Sequence, residues 1–146
     1  MSALDELYRE LILEHYKSPR NRGRLDQPDI ANRGHNPLCG DDVEVSLQIA
    51  DGKVQDVRFQ GKGCSISQAS ASMMTEAIKG KSTDEARALV DGFKAMMKGE
   101  AEPDETLGDV EALQGVKRYP VRIKCAMLAW TTLEEGLDVY SRAKSA

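Results

Sequence analysis

Cys39, Cys64 and Cys125 stand in contexts suited to metal and sulfur chemistry: Asn36-Pro37-Leu38-Cys39-Gly40-Asp41, Gly61-Lys62-Gly63-Cys64 and Arg122-Ile123-Lys124-Cys125. Cys64 directly follows Gly63, Cys39 comes two positions after Pro37, and a carboxylate, Asp41, lies two positions beyond Cys39. Together they offer three soft thiolates and one harder oxygen, a donor set that suits four-coordinate zinc. Plainer readings compete. A cysteine taken alone is most often a small buried hydrophobe. Asp41-Asp42 at a strand start is commonly turn chemistry, and the paired CxxC steps of many zinc modules are absent.

A disulfide framework fits poorly, because three cysteines are an odd number. Met1-Ser2-Ala3-Leu4-Asp5-Glu6 reaches acidic residues at once, without the basic start and apolar core of a secretory signal. No apolar run approaches the ~18 residues of a membrane span. The expectation is a soluble protein of a reducing compartment, the cytoplasm. With 146 residues, 40% of them hydrophobic, the chain reads as one domain over 1–146. Its formal net charge of -4 argues against nucleic acid as the main partner.

The elements that must position these residues follow from local pattern. Leu4, Leu7, Tyr8, Leu11 and Ile12 recur at helical spacing behind a Ser2/Asp5 capping pair, predicting a first helix that ends near Ser18-Pro19. From Pro19 to Pro37, Arg, Asn, Gly and Pro predict an ordered loop or extended segment over the core. Val43, Val45, Leu47 and Ile49 alternate, Asp51-Gly52 supplies a turn, and Val57 and Phe59 continue beyond it; this is a β-hairpin bracketed by Cys39 and Cys64. Ile66, Ala69, Met73, Ala77 and Ile78 then share a helical face, with Gly80 as its stop. Ser82 and Glu85 form a capping-box signature for a helix through Met97. An acidic connector, Gly99 to Thr106, precedes a short helix around Gly108 to Gln114. Pro120 opens a final helix with an apolar face through Val121, Cys125, Leu128, Thr132, Leu133, Leu137 and Tyr140.

The cysteines thus fall at the start of a hairpin, at a strand-to-helix junction and in the first turns of a late helix, from which they can converge. A helix N-terminus favours the Cys64 thiolate. Arg122 is placed to act as a counter-charge to Cys125. Met73-Met74 and Met96-Met97 read as core, His15 as a partly buried surface histidine, and His35 and Asn36 as residues that shape the loop. Lys17, Arg20, Arg22 and Arg24 form a basic loop, either solvated surface or a docking face for an acidic partner.

Four segments in order, His15-Tyr16-Lys17-Ser18-Pro19-Arg20-Asn21-Arg22-Gly23, Asn36-Pro37-Leu38-Cys39-Gly40-Asp41, Gly61-Lys62-Gly63-Cys64-Ser65-Ile66-Ser67 and Arg122-Ile123-Lys124-Cys125-Ala126, resemble the motifs of the IscU/NifU-N family of iron–sulfur cluster assembly proteins. Two features resemble its SufU branch. Lys124 stands where scaffold-type IscU proteins carry a His ligand, and a long stretch around Ala86 to Leu113 separates Cys64 from Cys125. The resemblance implies an α+β fold, a small antiparallel sheet packed on helices. It implies Cys39, Asp41, Cys64 and Cys125 as zinc ligands. It also implies a zinc-dependent sulfurtransferase role with a PLP-dependent, SufS-like cysteine desulfurase, upstream of further iron–sulfur assembly machinery. Cys39 would leave the metal, replaced there by a histidine of the desulfurase, and accept persulfide sulfur. The alternatives are a scaffold that assembles a [2Fe–2S] cluster from iron and sulfide, and a structural zinc domain.

Overall fold

The computed structural model describes residues 3–37, 40–103 and 105–145, apart from the side chain of residue 145. Helix α1 spans Ala3–Lys17, and strands β1 (Ile30–Asn36), β2 (Asp41–Ala50) and β3 (Lys53–Lys62) follow. Helices α2 (Ser65–Ile78) and α3 (Thr83–Met97), a 3-10 segment (Glu105–Arg118) and α4 (Pro120–Ser145) complete the order. The strands form one antiparallel sheet in the order β1-β2-β3, with the helices against it. This is the expected α+β architecture.

The β2–β3 hairpin forms where the alternation predicts it. Asp51 and Gly52 both take positive φ, 53° and 73°, the twist a two-residue hairpin turn requires. Val43, Val45 and Leu47 point inward with Val54, Val57 and Phe59. The spacing of Val54 and Val57 is reconciled by an irregularity of register between Gln48 and Ile49. The outer edge of β3 is covered rather than left open. Phe59 bonds through its amide to Asn21 O and through its carbonyl to the Gly23 amide, and Val54 does the same with Lys81 O and the Gly80 amide.

Between Pro19 and Pro37 the expected ordered loop or extended segment ends in a paired strand: residues 30–36 are β1, paired with β2 from Ile30↔Leu47 to Asn36↔Asp41. The usual apolar alternation is missing because its inward positions are Ile30, Asn32, Gly34 and Asn36. They face α4 at very close range. A Cβ on Gly34 would stand 2.0 Å from Thr132 Oγ1, and one on Gly136 would stand 2.8 Å from Ile30 Cγ2. Glycine on each side is what lets strand and helix touch. Asn32 Nδ2 donates to Thr132 O at 2.9 Å across the same contact.

Helix α2 is the centre of the packing and is buried far beyond one face. Ser67 to Thr75 are all buried, a run of small residues and methionines that lets α1, α3, α4 and β3 approach together. Its hydroxyls are partnered: Ser70 donates to Ala126 O at 2.6 Å and accepts from Trp130 Nε1 at 3.1 Å. Trp130, fully buried in α4, stacks on Phe93 of α3 with centroids 4.4 Å apart. Met73, Met74, Met96 and Met97 are core, as expected.

Other expectations are met or corrected locally. Ser82 and Glu85 form the full capping box of α3. Gly80 follows the end of α2 at φ 84°. Ser2 lies outside the described residues. On α1, the buried face is Tyr8, Ile12 and His15, while Leu4 and Leu7 are half exposed; the Tyr8 hydroxyl is held by Glu111 and Gln114 of the 3-10 segment, which pulls this face inward. The short helix around Gly108 to Gln114 belongs to a longer 3-10 segment, two pieces joined at Gly108 with φ 56° and ψ -130°. Val121 is exposed rather than core, because it lies in the solvent-facing first turn of α4. His15 is fully buried, not a surface residue.

Gly34→Ala should destabilise the protein by about 1–3 kcal/mol in urea unfolding, since the added methyl meets a hydroxyl rather than a gap. Adding Thr132→Ala removes the obstructing oxygen and should restore part of the loss. A double variant no more stable than Gly34→Ala would place the clash elsewhere.

Candidate metal centre

The hairpin brings two of the expected residues together by register alone. Asp42 pairs with Lys62 across β2 and β3, so Asp41 and the Gly63-Cys64 junction are neighbours at one end of the sheet. Asp41 is fully buried. Its Oδ1 accepts the Cys64 amide at 2.8 Å, and its Oδ2 lies 3.6 Å from Cys64 Sγ. Cys64 is the N-cap residue of α2, at φ -70° and ψ 168°, and its side chain makes no capping bond. The Cys64 carbonyl accepts the Gln68 amide at 3.1 Å, which begins the helix without the side chain. Gly63 leaves the room this junction needs, because a Cβ there would stand 2.3 Å from Asp41 Oδ1 and 2.6 Å from Ser67 Oγ.

The third residue arrives from α4. Cys125 is fully buried, and one ligand atom each of Asp41, Cys64 and Cys125 all lie within 4.8 Å of one another. Around a tetrahedral zinc with bonds of ~2.0–2.3 Å, ligand atoms stand roughly 3.3–3.8 Å apart. The donor types and the 3.6 Å separation fit that requirement with little movement. Cys39, the fourth residue of the expected set, lies outside the described residues. Lys124 is exposed, as is Arg122, which lines a cleft of about 440 Å³ with Tyr8, Ile12, Ile66 and Tyr119.

His35 and Asn36 frame the same end of the sheet. His35 Nδ1 meets Asp42 Oδ1 at 2.6 Å across β1 and β2, and Asn36 O accepts the Gly40 amide at 2.8 Å. The basic loop proves to be anchored. Arg20 Nη2 donates to Glu14 at 2.6 Å, Arg22 Nη2 to Gly61 O at 3.3 Å, and Arg24 Nε lies 3.2 Å from Glu44. Arg22 and Arg24 hold the loop over the edge and outer face of the sheet and Arg20 ties it to α1, roles that periodicity could not reveal.

The family model described as the NifU-like N-terminal domain matches residues 7–146. The chain belongs to the NifU-like N-terminal domain family. It is 49% identical over 135 residues to a zinc-dependent sulfurtransferase SufU of Bacillus subtilis, covering 92% of this chain and 91% of that one. It is 43% identical over 145 residues to an iron–sulfur cluster assembly scaffold protein IscU of Streptococcus pyogenes, covering 99% and 91%. The crystal structure of the N-terminal part of a NifU-like protein from Brucella abortus superposes with a TM-score of 0.86 at 29% identity, covering 97% and 99%. This NifU-like domain is thus related throughout to proteins of iron–sulfur cluster assembly. None of its helices, among the described residues, is long and apolar enough to cross a membrane.

One charged group at the sheet's outer face gives a pH test of the anchoring. Burial works to raise the Glu44 carboxyl, but the Gln60 hydrogen bond and the Arg24 and Arg33 guanidiniums outweigh it and hold it below its ordinary value of 4.5. A lowered folded value means that the folded state holds fewer protons than the unfolded one in that range. The stabilisation is therefore present above about 4.5 and is lost as pH falls through the lower, folded value. Glu44→Gln should cost about 1 kcal/mol at neutral pH, and the difference from wild type should shrink steadily in acid unfolding curves. A pH-independent difference would contradict this account.

Proposed function

We propose that this protein is a zinc-dependent sulfur acceptor of iron–sulfur cluster biogenesis, taking persulfide sulfur from a cysteine desulfurase through Cys39. The observation that carries the reading is the convergence of Asp41, Cys64 and Cys125, a carboxylate and two cysteine sulfurs from two ends of a hairpin and a distant helix. Cys39 is two residues from Asp41, so chain geometry alone keeps its Cα within ~7 Å of Asp41 Cα. It supplies the fourth donor. Bound zinc would keep these thiols deprotonated near neutral pH. The relative named as a zinc-dependent sulfurtransferase supports this choice of metal.

In the transfer step, the Cys39 thiolate attacks the terminal sulfur of the desulfurase persulfide. A new S–S bond forms at Cys39, the enzyme's own S–S bond breaks, and its cysteine leaves as thiolate. The exchange needs no outside oxidant or reductant. Asp41 and the Cys64 amide keep the junction in place while Cys39 changes partner. Three thiolate ligands require a reducing compartment, for which we take the cytoplasm.

The scaffold reading draws on the same residues and on relatives named as IscU scaffolds. Against it stands exposed Lys124 next to Cys125, whose ammonium must lose a proton before it could bind a metal. Protein purified without oxygen should contain about one zinc per chain and no acid-labile sulfide. Stoichiometric iron with labile sulfide would establish the scaffold instead.

Cys39→Ala should abolish persulfide loading and any stimulation of the desulfurase, while leaving a folded protein. Mass spectrometry after incubation with desulfurase, PLP and cysteine should find one added sulfur on the peptide containing Cys39. Sulfur found only on Cys64 or Cys125 would move the acceptor role to that residue.

A further inference from the structure

A second group of ligand-type side chains stands apart from the cysteines. His15 of α1, Glu76 of α2 and Asp109 of the 3-10 segment each offer one ligand atom, all within 4.8 Å of one another. His15 is fully buried, whereas Glu76 and Asp109 are about half exposed. Its Nε2 lies 3.1 Å from Asp109 Oδ2 and 3.6 Å from Glu76 Oε1. These three residues come from separate elements and converge on one point at the rim of an open cleft of about 280 Å³ that Glu76 and Asp109 help to line.

The other ring nitrogen explains why this point suits a cation. His15 Nδ1 lies 2.8 Å from Ser72 Oγ, which also accepts the Arg20 amide at 2.8 Å. A serine oxygen has a second lone pair, so it can accept Nδ1–H as well. That tautomer leaves the Nε2 lone pair facing two carboxylate oxygens, three acceptors with no hydrogen among them. In the other tautomer Ser72 donates to Nδ1 and Nε2–H donates to Asp109, which leaves Glu76 outside the bond. Two cations stand near the point: Arg20, whose Nε stands 3.9 Å from Glu76 while its Nη2 lies 2.6 Å from Glu14, and Lys81, which lines the same cleft. A metal-binding imidazole is commonly held in the ligating tautomer by donating its other ring N–H to a neighbouring acceptor, a part that Ser72 Oγ can play here.

We propose that His15, Glu76 and Asp109 form a second divalent-cation site. One nitrogen and two carboxylate oxygens select a hard or borderline ion such as Mn2+ or Fe2+, with water from the cleft completing the coordination. The ion would tie α1, α2 and the 3-10 segment together. This site is separate from the cysteine centre, since Ser72 and Glu76 lie two to three helical turns beyond Cys64, roughly 12–18 Å along α2.

Mn2+ is the discriminating probe, because a thiolate-rich centre prefers softer ions. Titration of the full-length protein with Mn2+, followed by electron paramagnetic resonance of the free ion, should reveal one bound ion per chain and a raised melting temperature. Glu76→Ala and Asp109→Ala are partly exposed changes that should leave the fold and the zinc content alone, yet each should weaken Mn2+ binding more than about tenfold. No binding by wild type up to millimolar Mn2+, or binding by both variants as tight as that of wild type, would overturn the site and leave His15 as an ion-paired strut.

Discussion

Everything at the cysteine centre depends on one carboxylate. Asp41, buried at the first position of β2, accepts the Cys64 amide and so ties the end of the sheet to the start of α2. The bond is possible because Asp42 pairs with Lys62, which makes the two ends of the hairpin neighbours whatever else the chain does. Register is therefore part of the site: a slip of one residue would turn Asp41 to the other face of the sheet and carry Cys64 away. Gly63 enforces the same geometry from the other side, since any side chain there would displace the carboxylate.

Cys125 is delivered by a different constraint, the close approach of α4 to β1 and α2. Gly34 and Gly136 remove the side chains that would hold α4 off the sheet, and Ser70 bonds the Ala126 carbonyl one residue beyond Cys125. Trp130 then locks the helix against α3 by stacking on Phe93. Because α4 is positioned by buried contacts along several turns, Cys125 reaches the centre on a rigid element, whereas Asp41 and Cys64 reach it from a strand end and a helix N-terminus.

What could be read in advance was what local chemistry decides. The Asp51-Gly52 turn, the Ser82/Glu85 box and the alternation of Val43, Val45 and Leu47 each depend on residues a few positions apart. Strand β1 was hidden because its inward side is Asn32 and Gly34, chosen to fit a helix about 100 positions later rather than to form a periodic pattern. The burial of His15 was hidden for the same reason, its partners being 57 and 94 positions away. So was the near-complete burial of α2, whose serines read as polar until Ser70 and Ser72 are seen bonded inside. At the centre itself, residue types suggested three thiolates and a carboxylate, and of these the described residues bring Asp41, Cys64 and Cys125 together.

The division of labour within Asp41 bears on what kind of ion could sit there. Oδ1 is committed to the Cys64 amide, so only Oδ2 is left to turn toward the cysteine sulfurs. A bidentate carboxylate would have to release that amide and with it the link between β2 and α2. Ions that demand six or more oxygens are therefore poorly served by this carboxylate, and a four-coordinate ion that takes one oxygen is well served. The same commitment separates two roles that a single carboxylate could have merged: one oxygen holds the backbone in register, and the other could serve a bound ion as a hard donor among soft ones. Loss of the second need not undo the first, so a ligand could leave and return at this centre without the hairpin and the helix parting.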